Sequence, residues 1–460
     1  MQRVLEALYQ GDYDTAFEVL SRSLAAQQGE AARPLYLLLA EAYTLYEDGG
    51  QKEARQVLEQ AVQQLPALRG DPLYQALVAE VRALEGATPG ELAPYLTPSE
   101  DIRVRYHQAQ TLLYLGEAEK VVQLCYPLES LPPFLRWRGH NLRARAFERL
   151  EEMENAAREY SLAARHSVGL ERYWNLLDEA AMWVEVGQGE AALHALGRTR
   201  EVVIPGSHTQ MGYEDPNDGA TRYYLQARAH LLLDNPGLAL LSIQKAMVLE
   251  EDGAEPSQGA PLVQGEALMQ LGQFDRAVEA FRLAAERAEG SDQSYALHEM
   301  GAAALEAGRY VEAETALKKA AQDTEYVHNA EVWADLAEVL YRRNLPEAAR
   351  QAAQRALEAG ETTTSHVVLG HLAYDLMQYE EALEQYDLAV CSVEAGSRHW
   401  ITAQELWLEV MAQLGYRDPA AVLDRVRLVL PYLTDHDEWR ATLEQYAERA
   451  RSQLGGRTLN

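Results

Sequence analysis

Gly265-Glu266-Ala267-Leu268, then Leu271-Gly272-Gln273-Phe274-Asp275-Arg276-Ala277, then Phe281 and Ala284, form a pattern that returns 36 residues later. The second copy reads Gly301-Ala302-Ala303-Ala304, Ala307-Gly308-Arg309-Tyr310, Ala313, Leu317 and Ala320. Trp333, Leu336, Ala337, Leu340, Ala349 and Ala356 make a third. Leu369-Gly370, Ala373, Gln378-Tyr379-Glu380-Glu381-Ala382, Tyr386 and Ala389 make a fourth. The marker alanines Ala277, Ala313, Ala349 and Ala382 lie 36, 36 and 33 residues apart. Within each copy apolar residues recur at three- and four-residue steps over two stretches, and a break such as Leu271-Gly272-Gln273 separates them. That is helix, tight turn, helix. The small residues fall where the two helices cross, so the backbones approach closely.

These residues resemble the tetratricopeptide repeat family, whose unit has a loose pattern of Trp, Leu-Gly, Tyr, Ala, Phe, Ala and a closing Pro. Leu39-Ala40, Tyr43, Ala54, Leu58, Ala61 and Pro66 fit it, as do Ala227, His230, Ala239, Ile243 and Ala246. Weaker copies run through Ala144, Phe147, Ala156, Tyr160 and Ala163, and Gly11-Asp12-Tyr13-Asp14-Thr15-Ala16 begins a second-helix half. The resemblance implies an all-α, right-handed superhelical solenoid of tandem helix-turn-helix repeats. In such a fold each repeat buries its apolar face against its neighbours rather than in one large core.

The expected organisation is an N-terminal array of degenerate repeats over 1–203 and a long inserted loop over 204–221. A more regular array over 222–436 and a capping helix with tail over 437–460 follow. Pro72, Pro89, Pro94 and Pro98 interrupt the first array, and Glu250-Glu251-Asp252-Gly253 opens a shorter acidic connector.

Composition narrows the function. The chain has 460 residues, 41 Lys+Arg and 71 Asp+Glu, a net charge of −30. That charge repels phosphate backbones and anionic lipid, so neither nucleic-acid binding nor membrane insertion is expected. Two cysteines, Cys125 and Cys391, exclude a disulfide framework and fit a reducing compartment. No secretory signal is readable in Met1-Gln2-Arg3-Val4-Leu5-Glu6, and no run of about 18 apolar residues appears, so a cytoplasmic location is expected.

Catalytic and metal motifs are absent from the sequence. Asp215-Pro216-Asn217-Asp218-Gly219 lacks the spacing and the closing Glu of a calcium loop. The 12 histidines form no His-Glu-x-x-His, and there is no Gly-rich phosphate loop or Gly-x-Ser-x-Gly elbow. No cofactor, metal or enzyme activity is expected.

Between Leu131 and Arg149 five arginines (136, 138, 143, 145 and 149) meet one acid, Glu148, against the sign of the whole chain. Arg138, Asn141, Arg145 and Arg149 share one helix face at three- and four-residue steps. The resemblance places that face on a first helix, on the concave surface that binds extended peptides, where forked guanidiniums suit acidic segments. The two-carboxylate clamp of some family members is not matched. The next first helix, around Trp174-Asn175-Leu176-Leu177, brings no Lys or Arg. By the same alignment Tyr106, Trp174, Tyr224, Arg228, Tyr295, His298, Tyr341, His371 and Tyr374 line the groove, and 25 Tyr against 5 Phe favours aromatics with a polar tip. The leading expectation is a non-enzymatic scaffold or adaptor binding peptide segments of partner proteins. A peptide-sensing regulator and a self-associating subunit of an assembly are the alternatives.

Overall fold

The computed structural model describes residues 1–46, 49–124, 127–202, 215–257, 259–433 and 438–457. Among these residues the regular structure is helical throughout, with no strand. The chain divides into two compact units, Met1–Pro256 and Ser257–Asn460.

In the first unit α1 (Gln2–Gln10) and α2 (Tyr13–Ala26) form a pair, followed by α3 (Arg33–Thr44) and α4 (Gln51–Gln64). Next come α5 (Pro72–Leu84), the one-turn α6 (Pro89–Leu92), α7 (Ile102–Tyr114) and α8 (Ala118–Leu124). Three longer pairs complete it: α9 (Pro133–Arg149) with α10 (Met153–His166), α11 (Gly169–Glu185) with α12 (Gly189–Thr199), and α13 (Pro216–Leu232) with α14 (Pro236–Glu251). The second unit pairs α15 (Ala260–Gln270) with α16 (Phe274–Arg287), and α17 (Gly290–Glu306) with α18 (Tyr310–Ala320). It continues through α19 (Asn329–Arg342), α20 (Pro346–Ala359), α21 (Thr363–Asp375) and α22 (Tyr379–Cys391). It closes with α23 (Arg398–Gln413), α24 (Pro419–Val429) and α25 (Glu438–Arg457), the last packing on α24.

Among the described turns one device recurs from pair to pair. The first helix ends on a residue with positive φ, and the following N–H bonds back five residues. Arg309 donates to the Ala304 carbonyl at 2.8 Å, Gln273 to Leu268 at 2.9 Å, Leu345 to Leu340 at 3.0 Å and Gln378 to Ala373 at 2.9 Å. Glycine supplies the left-handed residue at Gly272 and Gly308, whereas Asn344 and Met377 occupy it at φ 58° and 57°. The crossing glycines also do what their spacing predicts. A Cβ on Gly301 would lie 2.5 Å from Leu317, and one on Gly265 would lie 2.5 Å from the Phe281 ring.

Within the second unit α17 touches α19, α19 touches α21, α21 touches α23 and α23 touches α25. Second helices make at most weak contact with the next second helix. The first helices therefore form the crowded side of the stack, the arrangement of a repeat solenoid.

The first unit adds something that periodicity does not contain. Helix α1 packs on α9, and one core joins Val4, Leu8 and Leu20 to Tyr106, Leu113, Phe134 and Leu135. The early repeats curl back instead of only stacking forward. The division into units falls in the acidic connector rather than at the expected 204–221 insertion, because α13 packs on α11 and α12. Of that insertion, 204–214 lies outside the described residues. Residues 216–221 are already helical, with Asp215 accepting from the Asn217 N–H at 2.8 Å and Pro216 in the first turn.

Candidate functional site

Helix α9 carries the arginine-rich stretch, and the structure shows where each guanidinium goes. Arg138 is buried, with 7% of its surface exposed. It donates to the Phe134 carbonyl at 2.5 Å and to the Tyr13 hydroxyl at 2.6 Å, and lies 4.1 Å from the Trp137 ring centre. Arg143 pairs with Glu159 at 2.9 Å, Arg136 donates to the Glu129 carbonyl at 2.8 Å, and Arg149 donates to the Leu113 carbonyl. Asn141 donates to Asn175 at 3.0 Å, which ties α9 to α11. Arg145 is exposed and faces Glu148, Asp178 and the Tyr160 hydroxyl. Burial, with the charge of Glu148, pushes the Asp178 carboxyl up to about 7. The expected row of groove guanidiniums is therefore largely engaged inside the unit. Arg138 in particular corrects that expectation, because the returning α1–α2 pair covers it.

Tyr106 is a second correction. It is fully buried in the core, and its hydroxyl accepts from Gln110 at 2.9 Å, so it packs rather than lining a groove. Trp174 remains partly exposed, its indole N–H donating to Asp218 at 3.1 Å. Arg228 pairs with Glu185 at 2.8 Å and sits 6.0 Å from the Tyr224 ring.

In the second unit the predicted residues come together. Tyr295, His298, Tyr341, His371 and Tyr374 are all part-exposed on the first helices α17, α19 and α21. His298 bridges the Tyr326 hydroxyl at 3.3 Å and Asp335 of α19 at 3.0 Å. Tyr341 stacks on His371 of α21 with ring centres 5.4 Å apart, and His371 takes the Tyr386 hydroxyl at 2.9 Å. Burial holds the His371 imidazole below the ordinary range, and the nearby Arg342 adds to this. Tyr374 meets Tyr379 edge-on at 5.6 Å.

Carboxylates interleave with these rings. Burial, then Glu299 and Glu266, push the Tyr295 phenol up to about 12. Burial and Asp375 raise Tyr341, and burial and Glu409 raise Tyr374 and Tyr446. The carboxyls repel one another as well. Burial with Asp335 raises both Glu299 and Glu338, and burial with Glu409 pushes Glu405 up to about 7. One electrostatically continuous row thus runs across α15, α17, α19, α21, α23 and α25. The sequence reading named the aromatic residues of this row and not its carboxylates. Their signal was positional: Glu299 and Asp375 sit one residue beyond a predicted groove residue.

An open groove of about 780 Å³ lies elsewhere in this unit, between α16, α17 and α18, and includes Leu297, Met300 and Val311. It shares no residue with the aromatic row. Among the described residues no cluster of His, Cys, Asp and Glu has the form of a metal site, and no helix is long and apolar enough to cross a membrane.

Residues 304–367 match the family model described as tetratricopeptide repeat. No curated protein sequence matches the chain. Among solved structures it is similar to PilF of Pseudomonas aeruginosa, at 22% identity over 46% of this chain and 93% of that one, TM-score 0.37. It is also similar to a chain of the APC/C hetero-tetramer Cut9–Hcn1, at 14% identity over 91% and 96%, TM-score 0.40. The apo form of RapI is similar at 11% identity over 77% and 98%, TM-score 0.44. The family match lies within a series of helix pairs that share one crossing rule, and residues 304–367 are tetratricopeptide-repeat sequence.

Proposed function

We propose that this protein is a non-enzymatic interaction scaffold that binds extended peptide segments of partner proteins along the first-helix face of Ser257–Asn460. The observation that carries this is the row of part-exposed Tyr295, Tyr341 and Tyr374, set on successive first helices and linked by His298, His371 and carboxylates. Tyrosine offers large contact area at small entropic cost, with a hydroxyl for peptide backbone groups. Helix-borne rings also hold their positions before a ligand arrives, which lowers the ordering cost of binding. An acidic segment directed at α9 would have to compete with the internal acceptors of Arg138, Arg143 and Arg149.

The test is site-specific photo-crosslinking of the full chain, with benzoylphenylalanine in place of Tyr374 and, separately, of the exposed Val311 on α18. Partner peptides captured from Tyr374 and not from Val311 support the reading. Equal capture at both sites, or capture from Val311 alone, refutes it.

A further inference from the structure

The second unit distributes its charges unevenly between its two kinds of helix. Toward the second helices and the turns leading into them, cations meet carboxylates. Arg282 pairs with Glu279 and Glu312, Arg309 with Glu279 and Glu312, Lys318 and Arg343 with Glu314, and Arg417 with Glu380. The first-helix row is different. Among the described residues its carboxylates Glu299, Asp335, Glu338, Asp375, Glu405 and Glu409 have one guanidinium as a hydrogen-bonded partner, Arg342 on Glu338 at 3.1 Å. Asp335 has His298 and Asp375 has the Tyr341 hydroxyl. No such partner meets Glu299, Glu405 or Glu409 within the described residues. The row is therefore a face of like charges beside tyrosine rings, with Glu299, Asp335, Glu338 and Glu405 part-buried and Asp375 and Glu409 exposed, and folding has not neutralised it.

We infer that this face takes an extended cationic segment, a stretch of a partner protein bearing Lys or Arg side chains, whose charges sit between the tyrosine rings and against the carboxylates. The inference rests on the groove reading above and adds the chemistry of the occupant. Three physical reasons converge on it. A guanidinium or ammonium over a tyrosine face gains from the ring quadrupole. The same cation forms charge-assisted hydrogen bonds to carboxylates three or four residues away on the helix. It also relieves the mutual repulsion that burial intensifies among Glu299, Glu338, Glu405 and their neighbours. An anionic segment would meet repulsion along the whole row. A purely apolar one would leave the carboxylates dehydrated and unpaired, which is costly.

The test uses the full chain and three fluorescent peptides that differ only in charge: repeating Arg-Ser-Gly, Glu-Ser-Gly and Gln-Ser-Gly. Anisotropy titrations compare wild type with Glu299→Gln/Glu405→Gln/Glu409→Gln, with Tyr341→Ala/Tyr374→Ala, and with a control. The control, Glu347→Gln/Glu358→Gln/Glu384→Gln, removes as much charge from second helices, and circular dichroism confirms helicity in every variant. The expected result is selective binding of the Arg peptide, weakened about tenfold or more by the groove Gln variant and by the Tyr variant and left intact in the control. Affinity falls as salt rises. Equal loss in groove and control variants would mean the bulk charge of −30 is responsible, and overturns the inference. Preference for the Glu or Gln peptide, lost in the Tyr variant, overturns the cationic occupant while the groove reading stands. Binding unaffected by both groove variants overturns the two together.

Discussion

His107 is the residue whose removal should most change the first unit. Its ring is fully buried between two carboxylates, with Nδ1 2.6 Å from Glu80 and Nε2 2.9 Å from Glu41. Glu41 also receives Arg103, whose Nε donates at 2.7 Å. With a carboxylate at each nitrogen, the ring is held as the imidazolium. Burial alone pushes it down, yet Glu80 and Glu41 overcome this and raise it from 6.5 to about 9. Shifts of that size correspond to ~3 kcal/mol.

Because the folded value lies above the unfolded one, that stabilisation is fully present below pH 6.5 and is lost as pH rises through about 9. Glu41 behaves oppositely. Burial pushes its carboxyl up, but Arg103 and His107 hold it down at about 2, so its contribution is present above 4.5 and lost as pH falls through 2. Glu80, reached by the imidazolium and by no guanidinium, is raised by burial and opposes part of the gain above its folded value. These groups together give the unit its best stability between about pH 4.5 and 6.5. His107→Ala leaves Glu80 buried with no cationic partner and Glu41 with Arg103 alone, which costs about 3–5 kcal/mol. Hydrogen exchange read by mass spectrometry on the full chain, in peptides from α3, α5 and α7, measures the loss, with peptides from α17–α21 as the internal reference. Wild-type protection should decline between pH 6.5 and 9 after correction for intrinsic exchange, and the variant should lack that decline. A cost under about 1 kcal/mol, or flat wild-type protection over that range, would refute the ion network.

Three further outcomes are expected. Arg138→Glu, a surface change on the sequence reading, should destabilise the first unit by about 2–4 kcal/mol, because it places a carboxylate among the Phe134 carbonyl, Tyr13 and Trp137; Arg145→Glu should stay within about 0.5 kcal/mol in urea unfolding. Gly301→Val should cost about 1–3 kcal/mol by overpacking against Leu317. Adding Leu317→Ala should cost less in that background than in wild type, a coupling that a double-mutant cycle measures. Met377→Gly should raise the stability of the second unit by about 1 kcal/mol in thermal unfolding, since Met377 holds φ 57° with 75% of its surface exposed and loses little packing.

The contrast between Tyr341 and Tyr106 shows where sequence stops. Both stand on helices that the alignment reads as first helices, and both were expected in the groove. Tyr341 stays part-exposed on α19 because its surroundings come from neighbouring repeats, so the spacing that defines the repeat also places His371 beside it. Tyr106 is buried because α7 joins a core that α1, α2 and α9 close from far away in the chain. The same closure takes Arg138 to Tyr13, 125 residues distant.

The sequence by itself determined the helix pairs, their turns, the glycine crossings and the aromatic positions along α17, α19 and α21. All of these follow from contacts between residues three or four apart or one repeat apart, and such contacts leave a period in the chain. Only the tertiary structure decided that the early helices return onto α9, that Glu41, Glu80 and His107 meet inside the first unit, and that the compact division falls at Pro256. A return of this kind joins segments with no common period. Its driving force is burial of apolar area, which does not depend on the order in which the residues were written.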